Sequence, residues 1–91
     1  MNQKKTQKTS VALSYDHVGA PTVTASGGGL IAEAIIERAQ EFNVPVIEDP
    51  KLAQLLSAVP LGEEIPTELY QAVAEILVFV LRLELALNEE A

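Results

Sequence analysis

Between Thr67 and Leu87 the chain runs almost unbroken through residues that avoid water. The stretch opens at Pro66, Thr67 and Glu68, a helix-starting signature with proline where a missing N–H costs least. Its polar residues Glu68, Gln71, Glu75 and Arg82 fall at offsets of three, four and seven, which draws one narrow stripe at helical period. A surface helix of a small domain requires an apolar arc of roughly 100°. Here Ile76 to Leu81 are six consecutive apolar residues, so they point all the way round the axis. Such a helix packs on its own domain with one side and leaves apolar surface for something else.

The rest of the chain sets the scale of that domain. Ninety-one residues make one domain with a modest core, and two Phe, two Tyr and no Trp make that core aliphatic. Net charge is -7, unevenly spread: Lys4, Lys5 and Lys8 are the only charged side chains among residues 1–8. Beyond them Arg38, Lys51 and Arg82 stand against all thirteen acids, a balance of -10. Phosphate backbones require clustered Lys and Arg, so the balance argues against nucleic acid as a partner. The absence of cysteine excludes disulfides and thiolate chemistry and suits a reducing compartment. The N-terminus has the positive charge of a signal peptide without the apolar segment that follows one. A membrane span requires about 20 apolar residues, so the sequence predicts none.

Along the chain, residues 1–8 read as a flexible basic tail, 9–87 as the domain and 88–91 as an acidic tail. Thr9 to Tyr15 alternates as a strand does, with Val11, Leu13 and Tyr15 on one phase. Asp16 to Pro21 is a turn, and Thr22 to Ala25 a short β-branched strand. Ser26 and Gly27 to Gly29 release the chain into a helix over Leu30 to Phe42, with Ile31, Ile35, Ala39 and Phe42 expected inward and Ala34 beside them. Asn43 suits a left-handed helix end, and Val44 to Ile47 reads as a third strand with Pro45 near its start. Asp49 and Pro50 mark an N-cap and first helical residue of a short helix to Ala58, burying Leu52, Leu55 and Leu56. Val59 to Glu64 is a connector to the long last helix. The expected fold is therefore α/β: a small mixed sheet of about three strands packed with three helices. Its second and third strands are joined by a crossover of helical length and so are expected to pair in parallel.

Sites for chemistry are sparse. Gly27 to Gly29 precedes a helix, where free N–H groups bind anions or nucleotides, but it has neither GxGxxG spacing nor a following Lys-Ser/Thr pair. A tight turn with close backbone approach explains it better. His17 is the only histidine, and beside Asp16 it has the outline of a base and its orienting carboxylate. Ser10 and Ser14, its neighbours in sequence, lie on the opposite strand phase to Tyr15, and one histidine without cysteine makes a poor metal site. Glu48 and Asp49 have the oxygen chemistry for magnesium, though helix capping accounts for Asp49. Glu63 and Glu64 read as exposed loop acids. The sequence thus assigns no catalytic residue, cofactor or metal.

Six ordered blocks carry a resemblance. Val11 to Asp16, Ala20-Pro21, Gly29 to Glu33, Asn43 to Pro50, Leu61 to Pro66 and Leu69 to Glu75 resemble the cytoplasmic C-terminal domain of the FlhB family, which includes the YscU-type proteins of type III secretion. The likeness covers roughly residues 9–83. It implies a part in the flagellar export gate, where the FlhB cytoplasmic domain helps switch export from rod and hook to filament proteins. It also implies an Asn-Pro-Thr-His motif whose Asn side chain attacks its own carbonyl carbon, forms a succinimide and breaks the Asn–Pro bond. The matching positions here are Lys5, Thr6, Gln7 and Lys8. Lysine carries no side-chain amide, and Asn2, Asn43 and Asn88 precede Gln3, Val44 and Glu89, so the 91 residues hold no Asn–Pro bond to cleave.

The resemblance implies a stand-alone cytoplasmic protein, peripheral at the inner-membrane export gate, that acts by binding rather than catalysis. Its expected partners are export-gate components, export substrates, or a second copy meeting it through the edge strand or last helix. Val11 and Leu13 on that strand, and Leu81, Leu83, Leu85 and Leu87 on that helix, are the expected contacts. The alternatives are a protein-binding role outside export and an anion or nucleotide site at Gly27 to Gly29.

Overall fold

The computed structural model describes the backbone of residues 8–90 and the side chains of residues 8–87. Two strands, β1 (Thr9–Ser14) and β2 (Thr22–Gly28), form an antiparallel hairpin. Its turn is held by an Asx motif, in which the Val18 N–H donates to Asp16 Oδ1 at 2.9 Å. Thr24 is an extra residue between Leu13↔Val23 and Ala12↔Ala25, a bulge that shifts the register, and its hydroxyl donates back to the Ala12 carbonyl at 3.3 Å.

The two faces of the hairpin differ in side-chain size, and that difference sets the layers. Ser10, Ala12, Ala25 and Gly27 share one face by pairing and alternation. Helix α1 (Leu30–Glu41) lies against both strands there. Gly27 is the point of closest approach: a Cβ added to it would collide with the Cγ2 of Ile31 and sit 2.9 Å from its Cβ. The opposite face carries Val11, Leu13 and Val23, which meet Leu52 and Leu56 of α2 (Pro50–Leu56), Ile65, and Val73 of α3 (Tyr70–Glu90) in the core.

Close packing on small residues changes the phase of α1. Ala32 is fully buried and Ile35, Ile36 and Ala39 are half-buried, whereas Ile31 and Phe42, expected inward, are exposed. Phe42 instead lies under the Arg38 guanidinium, 5.3 Å from the ring centroid. Asn43 takes φ 59°, and Val44 N–H to Ala39 O (2.8 Å) with Asn43 N–H to Gln40 O (3.2 Å) completes a Schellman cap.

Val44 to Ile47 is not a strand and makes no parallel pair: the sheet has two strands among the described residues. The free edge of β2 is occupied by a different segment. Val23 N–H donates to Glu63 O (3.0 Å), Gly62 N–H to Val23 O (2.7 Å) and Ile65 N–H to Pro21 O (2.9 Å), with an antiparallel bridge between Thr22 and Glu64. The connector read from sequence over Val59 to Glu64 thus fills the place expected for Val44 to Ile47. Downstream, the Asp49 carboxylate caps α2 by accepting from Leu52 N–H at 3.1 Å. Leu52 and Leu56 are buried, and Leu55, expected inside, is exposed. The last helix begins with a 3₁₀ turn at Thr67–Leu69 and continues as α3 for about 31 Å.

Candidate protein-interaction site

Helix α3 outgrows the core it serves. Leu69, just before it, and Val73, Ile76, Leu77 and Val80 turn inward on one stripe, and from Leu81 to Leu87 every residue is exposed. Val78 and Phe79 are exposed as well, Phe79 to 55%. Leu81, Leu83, Leu85 and Leu87, the residues read from sequence as contacts, therefore all reach the surface, on two sides. Leu83 and Leu87 line an open cleft of about 410 Å³ with Asn43, Val44 and Pro45 at the end of α1. Leu81 and Leu85 fall in line with Val78 on the flank turned away from that cleft.

The other expected contacts sit differently. Val11 and Leu13 turn their side chains into the core and are half-buried. What β1 offers is backbone. The Gly29 N–H donates to Lys8 O at 2.9 Å, which makes that a hydrogen-bonded pair. By antiparallel alternation Ser10 and Ala12 then bond to β2, while the N–H and C=O groups of Thr9 and Val11 point outward. Among the described residues no other strand pairs with that edge. Lys8 is exposed, and Lys5, Thr6 and Gln7 lie outside the described residues.

A second concavity, which the sequence did not single out, opens between the hairpin turn and the first half of α3. Tyr15, Ala20, Pro21, Ile65, Tyr70 and Leu77 are among its walls, and it encloses about 360 Å³. Its lining is mostly apolar, with the Glu64 carboxylate at the rim close to Gly19. Such a groove takes an apolar side chain of a peptide and offers a polar group at its mouth. The signal available in sequence was the run Gly19-Ala20-Pro21 facing Tyr70 across nearly fifty residues, a pairing that only the fold reveals.

The remaining polar candidates are absorbed by local structure. His17 has φ 69° and packs at a tilt of 54° against Tyr15, ring centroids 4.8 Å apart, while the carboxylate of Asp16 serves the turn. Asp49 is engaged as a cap, Gly27 and Gly28 belong to β2, and Gly29 alone stands at the start of α1. Among the described residues no three acidic or histidine side chains gather where a metal ion could be held. No helix there is long and apolar enough to cross a membrane.

A hairpin held between one helix and a helical pair, followed by a long last helix, is the fold of the solved PscU and SpaS C-terminal domains. The PscU C-terminal domain superposes with TM-score 0.76 at 26% identity, over 80% of this chain and 96% of that one. The native SpaS C-terminal domain shares the fold at 23% identity, with TM-score 0.73 over 91% of this chain and 97% of its own. By sequence, residues 6–80 match the model of the FlhB, HrpN, YscU and SpaS family, and the chain belongs to that family. The flagellar biosynthetic protein FlhB of Escherichia coli is 47% identical over 78 residues, 82% of this chain. The Bacillus subtilis protein YlqH is 37% identical over 86 residues, 92% of each chain. The chain spans about one fifth of the length of the FlhB proteins it matches.

Proposed function

We propose that this chain is a non-enzymatic interaction module of flagellar and type III protein export, taking the place of the C-terminal fragment of the FlhB cytoplasmic domain at the export gate. One observation carries the reading. The match to the family spans residues 6–80, nearly the whole folded unit, while the four positions of the cleavage motif have lost its chemistry. What is kept is a binding surface, and what is lost is the self-cleaving bond.

In this reading the outward edge of β1 receives an extended segment of the gate by strand addition. The groove beside Ala20, Pro21 and Tyr70 takes an apolar side chain of an export protein. The acidic surface speeds encounter with basic segments of such partners. The site of action is the cytoplasmic face of the inner membrane.

The test is complementation. Cells whose FlhB ends before its C-terminal fragment are supplied with this chain, and secretion of hook and filament proteins is measured. The reading expects secretion to return, and to be lost again when Val11→Pro removes an N–H from the β1 edge. Secretion restored by the authentic fragment but not by this chain overturns it.

A further inference from the structure

We propose that the outward flank of α3 binds the same flank of a second copy of this chain, the two helices running antiparallel. Ala74, Val78, Leu81 and Leu85 recur at offsets of four, three and four, the spacing of a helix-pairing seam. All four are exposed, and Leu85 reaches 59%. They lie away from the stripe of Val73, Ile76, Leu77 and Val80 that α3 spends on its own core.

The charges beside this seam choose both the occupant and its direction. Glu75 and Arg82 each follow a seam residue by one position and stand seven apart, on one side of the helix and both exposed. A two-fold axis between Val78 and Leu81 sets Val78 of one copy against Leu81 of the other and Ala74 against Leu85. The same axis brings Glu75 of each copy to Arg82 of the other, giving two opposite-charge pairs from a single sequence. A parallel arrangement, in which residues of equal height meet, keeps Glu75 and Arg82 two turns apart and matches neither. Glu84, beside Leu81 and Leu85, flanks the seam on its cleft side, the edge opposite Glu75 and Arg82. Four short side chains per copy bury less than the roughly 1,600 Å² of a standard interface, so the dimer is reversible. The pairing does not rest on the export reading, although Ala74 of the seam also lines the groove beside Tyr70.

Two charge reversals test it. Glu75→Arg places two arginines at each end of the seam, and Arg82→Glu places two acids there. Each variant is expected to raise the dimer dissociation constant about tenfold in sedimentation equilibrium, with an unchanged circular dichroism spectrum. Mixed in equal amounts, they are expected to form a heterodimer of about wild-type affinity, because every pair is again opposite in sign. Leu81→Glu should weaken pairing about a hundredfold, since the change enters the seam twice. A wild-type chain that stays monomeric at about 1 mM overturns the proposal. So does a mixture of the two reversals that associates no better than either variant alone.

Discussion

Gly27 decides how near α1 can lie to the hairpin. What it supplies is room: the space a Cβ would occupy already holds the Cγ2 methyl of Ile31, with the Ile31 Cβ 2.9 Å away. The methyl can turn aside about χ1, but the Ile31 Cβ is fixed by its own backbone, so the helix must still shift to admit the new atom. Gly27→Ala is therefore expected to destabilise the fold by about 1–3 kcal/mol, the cost of overpacking, read as a lower urea midpoint with an unchanged slope. Gly62 has nothing within 4 Å of an added Cβ but holds φ 87°, so there a substitution strains the backbone instead. Asp16 and Asp49 each accept a backbone N–H within three residues of themselves, so turn and cap account for these two side chains locally.

At the scale of elements, α2 shows how far local pattern carries. Leu52 and Leu56 lie one turn apart on the buried side, while Leu55 between them is 52% exposed. Leu52→Ala is expected to cost about 2–5 kcal/mol and Leu55→Ala about 0.5 kcal/mol or less, compared by chemical denaturation. The helix itself was readable because Asp49 and Pro50 are signals confined to neighbouring residues. The Asn43 cap, β1, the first half of β2 and the polar stripe of α3 were readable for the same reason, whereas Ser26 to Gly28, read as part of a turn, continue β2. Pairing was not. Val44 to Ile47 has strand-like composition, but composition describes a pleated, half-buried surface and says nothing about which edge is vacant. Gly62 to Ile65 already holds the edge of β2, so Val44 and Val46 stay exposed and unpaired with any strand. The phase of α1 escaped for a related reason. Ile31 and Phe42 look like core residues until the small-residue face of the hairpin brings Ala32 inward instead.

The whole molecule combines a small core with surfaces that the core does not need. Among the described residues Val23 and Val73 are the largest fully buried side chains, yet Val78, Phe79, Leu81 and Leu85 stand outside on one helix. Apolar groups so placed do little for the fold and much for association. Of the candidate site, the excess of apolar surface on the last helix could be read from the sequence, because crowding of apolar residues around a helical period is a local property. The groove beside Ala20 and Tyr70, and the turning of Val11 and Leu13 into the core, depend on contacts between distant segments. A binding titration tests the central claim most directly. This chain is added to the membrane-proximal part of its host's FlhB lacking the C-terminal fragment, with the intact cytoplasmic domain as the control. Substitution for the missing fragment predicts saturable binding to the truncated form and at least about tenfold weaker binding to the intact domain, whose own fragment holds the place. Equal binding to both, or binding to neither, would contradict it.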